Sequence, residues 1–338
     1  MSTPTAGIFG PETALARFGR TLFTLLLCLH FMLAYMAESV FLRLPDYVAG
    51  HERLPYQNRE LPMLLMRAAG HVHALTKVAA HLPFGDHTVP SLVMALLAFF
   101  GMLAAVYATR GTIQALTGDA SLARWIALLV VLMSYFDLAS TWGLNYTAPY
   151  DVPSLAFFAL GIWLIVTGRL LGLYPVFLIA TFNRETTIFL VLFYILWNSV
   201  GKKAKPSVIA LNAIILTALW IAIKLYLAHR FQGNPMDGDN GLFASHARQN
   251  LKFLLPQQWP VLLSVCAFTL PIVIACRRWI RNPAYSAAAG GVMALWFLGM
   301  MVVGVLVELR IFAEWAALVT PFLALILHHR FSHEPAAA

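Results

Sequence analysis

The chain has 338 residues, of which 60% are hydrophobic and 11% charged, with a net charge of +8. Soluble domains carry about 25% charged residues, so this chain has too few charges to cover a water-facing surface, and the bilayer is its solvent. The basic residues fall in short clusters between apolar runs, the pattern of loops facing anionic membrane lipid; no nucleic-acid motif accompanies them, and nucleic acid is excluded as a partner.

From the N-terminus, Arg17 and Arg20 precede an apolar run that continues to about Leu42 without a clean cleavage site, so the run is expected to stay as a first helix. About 20 apolar residues cross the hydrocarbon core. Spans are predicted over roughly 21–42, 90–109, 124–142, 153–169, 207–228, 259–276, 285–307 and 313–328. The stretch 171–200 is apolar except for Asn183-Arg184-Glu185 at its middle. Read as two short helices meeting there, each roughly 18–22 Å long, it places Arg17, Arg20, Arg110, Arg169, Lys202, Lys203, Lys205, Arg277, Arg278, Arg281 and Arg330 on one side. Cytoplasmic loops carry that excess of Lys and Arg, whereas one long span would flip every basic cluster from Lys202 onward. The expected fold is all-α and polytopic: a single transmembrane domain over 1–338, about ten membrane segments including a short helical hairpin, and no separate soluble domain. Both termini are then cytoplasmic, and two long outer loops cover about 43–89 and 229–259.

Within the first loop, Leu64, Leu65, Ala68, Val72, Leu75, Ala79 and Leu82 recur at spacings of three and four and form one helical face from Leu61 onward. Arg67, His71, Lys77 and His81 lie off that face, and Pro62 suits a first helical turn. Such a helix either lies on the outer membrane surface or packs on the protein itself.

The ionisable residues of the spans are one-sided. Glu38 ends the first helix, Asp137 lies in the outer half of the third, Arg184 and Glu185 occupy the hairpin tip, Lys224 is near an outer end, and Glu308, Arg310 and Glu314 straddle the last outer turn. Charges at membrane depth are costly and face interiors or wet cavities, so the set describes a cavity opening outward; the alternative is a group of ion pairs satisfying one another at helix ends. Tyr56, Arg59 and Glu60 before the loop helix, and Tyr146, Tyr150 and Asp151 before Pro153, line the same side. Aromatic faces beside carboxylates and amides suit a sugar, although tyrosine is common at membrane interfaces in any case. No cofactor motif is present. Asp237-Gly238-Asp239 lacks a nucleotide-binding context and an EF-hand ligand pattern, and His71, His73 and His81 read as solvated helix residues, so no metal is expected.

Leu54-Pro55-Tyr56-Gln57-Asn58-Arg59, Tyr150-Asp151-Val152-Pro153, Asn183-Arg184-Glu185-Thr186 and the Glu308-Leu309-Arg310 turn, together with the span pattern, resemble the GT-C superfamily of membrane glycosyltransferases, in its bacterial members. The resemblance implies a transferase of the bacterial inner membrane. It would use a polyprenyl-phosphate sugar as lipid-linked donor and a glycan or lipid acceptor, on the extracytoplasmic face. It implies a catalytic carboxylate in or just before the first outer loop, where Glu38 and Asp46 stand; the adjacent pair of acids usual in the family is missing. Glu38, at the membrane boundary, is favoured as general base through partial desolvation. Arg59, Arg184 or Arg310 would hold the lipid phosphate by paired charge-assisted hydrogen bonds, with Asp137 and Asn183 nearby. Readings of another class are a transporter or flippase of lipid-linked glycans, and a non-catalytic partner in envelope assembly.

Overall fold

The computed structural model describes residues 13–140, 146–237 and 246–332. Among them all regular structure is helical, apart from isolated extended pairings of Val40 with Thr147 and of Leu54 with Met236. Six helical stretches are long and apolar enough to cross a membrane, and a seventh is added if one sharply bent pair is a single span. The chain is a helical membrane protein.

The first helix, α1 (Ala14–Ala37), is capped by the Thr13 hydroxyl, which accepts from the Ala16 N–H at 3.2 Å. It stops at Glu38, short of the expected Leu42. The reason is tertiary: Phe41 N–H donates to Thr147 O at 3.1 Å and Thr147 N–H to Ser39 O at 3.0 Å, so this backbone finds partners outside a helix. The first loop then folds into α2 (Leu44–Ala49), α3 (Glu60–Gly70) and α4 (His73–Ala79). The single loop helix expected over 61–82 is therefore two helices broken at His71 and Val72, and its apolar face divides with it. Leu64, Leu65 and Val72 are exposed, Ala79 is buried, and Leu75 and Leu82 rest against the core, while α3 buries Pro62, Met63 and Met66 instead.

Helix α5 (Val89–Thr117) runs between a Thr88 cap followed by Pro90 and a left-handed Gly118, signals that start and stop a helix. The third span is broken: α6 (Ala120–Ile126) and α7 (Leu129–Ser134) continue into a five-residue π-helical turn, Tyr135–Ala139, which buries Asp137. Next come α8 (Asp151–Val166), α9 (Leu170–Asn183) and α10 (Ile188–Val200), the last two meeting at Arg184 to Thr187, where two short helices were expected to meet. Helix α11 (Pro206–Arg230) is long and the least buried of the spanning helices. After α12 (His246–Asn250), α13 (Trp259–Ser264) and α14 (Thr269–Ala275) form a pair bent by 91°. Helix α15 (Pro283–Val303) and a tight 3₁₀ run, Leu309–Trp315, lead into α16 (Ala316–Ser332).

Small residues bring the helices together, as in membranes where close packing substitutes for a hydrophobic driving force. A Cβ on Gly111 of α5 would come within 2.4 Å of the Trp163 indole of α8, and one on Gly101 within 3.2 Å of Val152. Helix α15 meets α10 in the same way, through Gly291 against Leu196. The result is a bundle whose α8 is buried nearly throughout. The start of α8, the α9–α10 break, the 3₁₀ run and the first loop all gather at one end.

Candidate functional site

At that end a charge network fills the protein interior. Asp151, in the first turn of α8, benefits from the helix N-terminus. Arg184, held by the α9–α10 break, places Nη1 3.3 Å from Asp151 Oδ1 and 3.2 Å from Glu314 Oε1. The same Glu314 oxygen accepts from the Ser154 hydroxyl at 2.6 Å and the Thr186 hydroxyl at 3.0 Å. Arg310 approaches Asp151 Oδ2 at 3.6 Å and grips Glu308 with Nη2 at 2.8 Å and Nε at 3.1 Å. Asp151, Arg184, Arg310 and Glu314 are all buried.

A second layer ties the first loop to this centre. Arg59 donates to Glu185 through Nη2 at 2.8 Å and lies 4.2 Å over the Tyr150 ring. Tyr47 fixes it by donating to the Arg59 carbonyl. Asn183 donates to the Tyr150 carbonyl at 2.9 Å, and Trp220 of α11 to the Glu185 carbonyl at 2.9 Å. Glu60 sits apart, paired with Arg230 at 2.8 Å; burial pushes its carboxyl above the ordinary value, against the pull of Arg230 and Arg67. Asp137 borders this centre: its turn packs against the 3₁₀ run that carries Glu314, while its Oδ1 accepts the Cys266 N–H at 3.0 Å in the α13–α14 bend.

The structure therefore brings Arg59, Tyr150, Asp151, Asn183, Arg184, Glu185, Glu308 and Arg310 into one assembly, and leaves Glu60 and Asp137 outside it. The three arginines expected to hold a lipid phosphate already face carboxylates. Glu314, the hub, is named by the sequence among the outer charges, but spacing hides its partner. Four positions after Arg310, it looks like that residue's helical partner, but a 3₁₀ run has three residues per turn, and Glu314 instead meets Arg184 across the bundle.

Glu38 and Asp46 lie outside the network, half-buried, and Asp46 faces Arg43 Nη1 at 3.9 Å. A cleft of about 530 Å³ is lined by Glu38, Asp46 and Asp86 together with Arg43, Leu42 and Ser91. A neighbouring cleft of about 440 Å³ is lined by Arg43, His51, Arg53, Asp46, Glu52 and Phe41. Arg43 and Asp46 belong to both. Arg43, His51 and Arg53 are signals the sequence reading passed over, because nothing in their spacing separates them from ordinary loop charges.

The clefts are anchored by ordinary contacts. Asp237, from the only described part of the Asp-Gly-Asp sequence, pairs with Arg53 at 3.0 Å and accepts the Tyr56 hydroxyl at 2.8 Å; Asp239 lies outside the described residues. Asp86 accepts the Thr88 hydroxyl at 2.7 Å and the Ser91 hydroxyl. Burial pushes the Asp86 carboxyl up, but these hydrogen bonds more than offset it and leave it below the ordinary value. The Phe41 ring receives the Arg53 guanidinium at 4.6 Å and that of Arg310 at 5.2 Å, and packs edge-on against Tyr56. It thus stands where the second cleft meets the buried network. Among the described residues, no group of three His, Cys, Asp or Glu side chains is placed to hold a metal ion.

Comparison with protein-family models, with curated proteins and with solved structures finds no match to the chain.

Proposed function

We propose that the protein is a membrane glycosyltransferase that takes a sugar from a polyprenyl-phosphate donor and adds it to a glycan or lipid acceptor on the extracytoplasmic face. The observation that carries this reading is the pair of adjoining clefts, one with three carboxylates and the other with Arg43, His51 and Arg53, sharing Arg43 and Asp46. That arrangement suits a reaction in which a carboxylate takes the acceptor hydroxyl proton, the oxygen attacks the anomeric carbon, and the lipid phosphate leaves towards cationic groups. Asp46 is the carboxylate common to both clefts and is the preferred base; Glu38, favoured by position along the chain, is the other candidate. The guanidiniums of Arg43 and Arg53 suit the phosphate, and Phe41 gives the second cleft an apolar wall, backed by Tyr56 and Tyr146. The buried arginines serve as the frame behind these clefts.

The proposed topology has ten membrane segments, counting α8, α9 and α10, in a bacterial inner membrane with both termini cytoplasmic. It is supported by the basic residues Arg17, Lys202, Lys203, Lys205, Arg277 and Arg278, which stand at helix ends away from the clefts. Lys203→Cys is expected to resist a membrane-impermeant thiol reagent applied from outside, in a chain whose own cysteines have been replaced; external labelling would overturn this topology.

Incubation of the purified protein with lipid-linked sugars and membrane lipid extract, followed by mass spectrometry, tests the activity. Free polyprenyl phosphate and an acceptor heavier by one sugar are expected. A second reading, ion-coupled transport of a lipid-linked glycan, draws on the α13–α14 bend. There Cys266, Ala267 and Phe268 take φ of 53°, 55° and 60°, and buried Asp137 holds the turn; broken helices of this kind bind coupling ions in transporters. Flux of the glycan across proteoliposomes with no change in its covalent form would favour that reading and exclude transfer.

A further inference from the structure

The C-terminal end of α10 carries a third cavity, which the transfer reading does not use. Between α10 and α11 lies a groove of about 460 Å³. Ile195 of α10 and Ile209, Ala210 and Ala213 of α11 form its apolar walls, and Lys202 stands in its lining beside the connecting turn. Its hollow shape follows from sequence: Ala210 and Ala213 stand three apart on one face of α11, where larger residues would fill the space. Helix α11 is only 17% buried over its apolar window, so the groove opens to whatever solvates the bundle, which for this chain is lipid.

The turn from Gly201 to Lys205 supplies the charge. Lys202, Lys203 and Lys205 are exposed, and no Asp or Glu occurs from Thr186 to Met236. Lys203 is spoken for: its Nζ lies 3.7 Å over the Trp197 ring. Among the described residues, neither Lys202 nor Lys205 makes an ion pair. Lys202 is held with φ at 50°, a left-handed conformation uncommon for a residue with a side chain. An apolar slot between two helices, with Lys202 in its lining and exposed Lys205 on the adjoining turn, is complementary to one kind of molecule, an anionic headgroup joined to an acyl chain. A free anion leaves the slot unexplained, and a second copy of this chain would bring a similarly basic turn against the lysines.

The geometry points to a binding site for an anionic phospholipid, its phosphate between Lys202 and Lys205 and one acyl chain along Ala210 and Ala213. This site stands on the membrane character of the chain and is independent of the glycosyltransfer reading. Basic pockets between helices hold anionic lipid headgroups in this manner, and each lysine near such a surface contributes about fivefold in affinity.

Native mass spectrometry of the purified full chain, titrated with phosphatidylglycerol or phosphatidylcholine in detergent, tests it. Preferential retention of phosphatidylglycerol, by about tenfold or more, is expected. Lys202→Ala with Lys205→Ala should reduce retention to the phosphatidylcholine level. Ala210→Trp, which fills the slot without touching the charges, should do the same, and Arg277→Ala should leave retention unchanged. Circular dichroism confirms that each variant keeps its helices. Equal retention of the two lipids would overturn the assignment, as would insensitivity to Ala210→Trp or competition by inorganic phosphate as effective as that by the lipid.

Discussion

Arg184 and Arg53 are arginines beside carboxylates at the same end of the bundle, and their surroundings make them different devices. Arg184 is buried and shared between Asp151 and Glu314, whereas Arg53 is 37% exposed, pairs with Asp237, and leans on an aromatic ring at the wall of a cleft. Buried ion pairs are costly to break because the partner left behind cannot recover its hydration. Exposed ones contribute little to stability, which leaves their groups available to a ligand. A charge deep in the membrane is therefore not by itself a mark of chemistry. In this protein the most buried charges hold elements together, and the proposed chemistry falls to more exposed ones.

The comparison breaks most visibly at Glu314. Glu314→Leu leaves Arg184, Ser154 and Thr186 without their common acceptor, and the expected loss is about 3–5 kcal/mol, measured by denaturant unfolding in detergent. Replacing the pair together, Arg184→Met with Glu314→Leu, should recover part of that loss. A change below about 0.5 kcal/mol for the single variant, the scale of ordinary surface substitutions, would mean that the network is not a frame. Next in size is a packing control beneath the network: Gly111→Ala forces Trp163 aside at 2.4 Å and should cost about 1–3 kcal/mol. Gly299→Ala, with nothing near its Cβ, should be neutral or gain up to about 1 kcal/mol by helix propensity.

Smaller again is Arg53→Ala. Loss of an exposed ion pair and a cation–π contact should cost about 1 kcal/mol, while the Michaelis constant for the lipid donor rises at least tenfold. An unchanged constant would remove Arg53 from the phosphate site. The smallest effect is at Asp86. Its carboxyl lies below the ordinary value in the folded protein, so its contribution is present above the unfolded value and is lost as pH falls through the folded one. Asp86 is exposed, so Asp86→Asn should flatten the acid limb of stability only slightly, with little change at pH 7; an equal loss at pH 7 and pH 3 would show that the carboxylate's charge is not involved.

How far this organisation was legible in the sequence depends on how local its causes are. Helix α5 is legible because a Thr-Val-Pro start, an apolar run and a glycine stop all lie within it. The break between α9 and α10 is legible because Asn183-Arg184-Glu185 interrupts an otherwise apolar run. The early end of α1 is not, since it depends on Thr147, more than 100 residues away. Nor is the loop helix. Leu64, Leu65 and Ala68 share a face by spacing, but α3 buries Met63 and Met66, which a residue count places on another stripe. Asn250 is equally hidden: its side chain donates to the Met300, Met301 and Gly304 carbonyls and so closes the end of α15, a role no nearby residue announces. In the site, the charged residues were visible and their partners were not, because Arg184 draws Asp151 and Glu314 from helices far apart in the chain.

The division between frame and clefts is tested most directly by measuring sugar transfer and unfolding on the same preparations of Asp46→Asn and Glu38→Gln. Asp46→Asn is expected to lower the transfer rate by about 10²–10⁴-fold, the range for loss of a general base, with unfolding within about 0.5 kcal/mol of the parent and donor binding retained. A dead Glu38→Gln beside an active Asp46→Asn would exchange their roles and keep the base in the same cleft. Full activity in both variants would contradict the account.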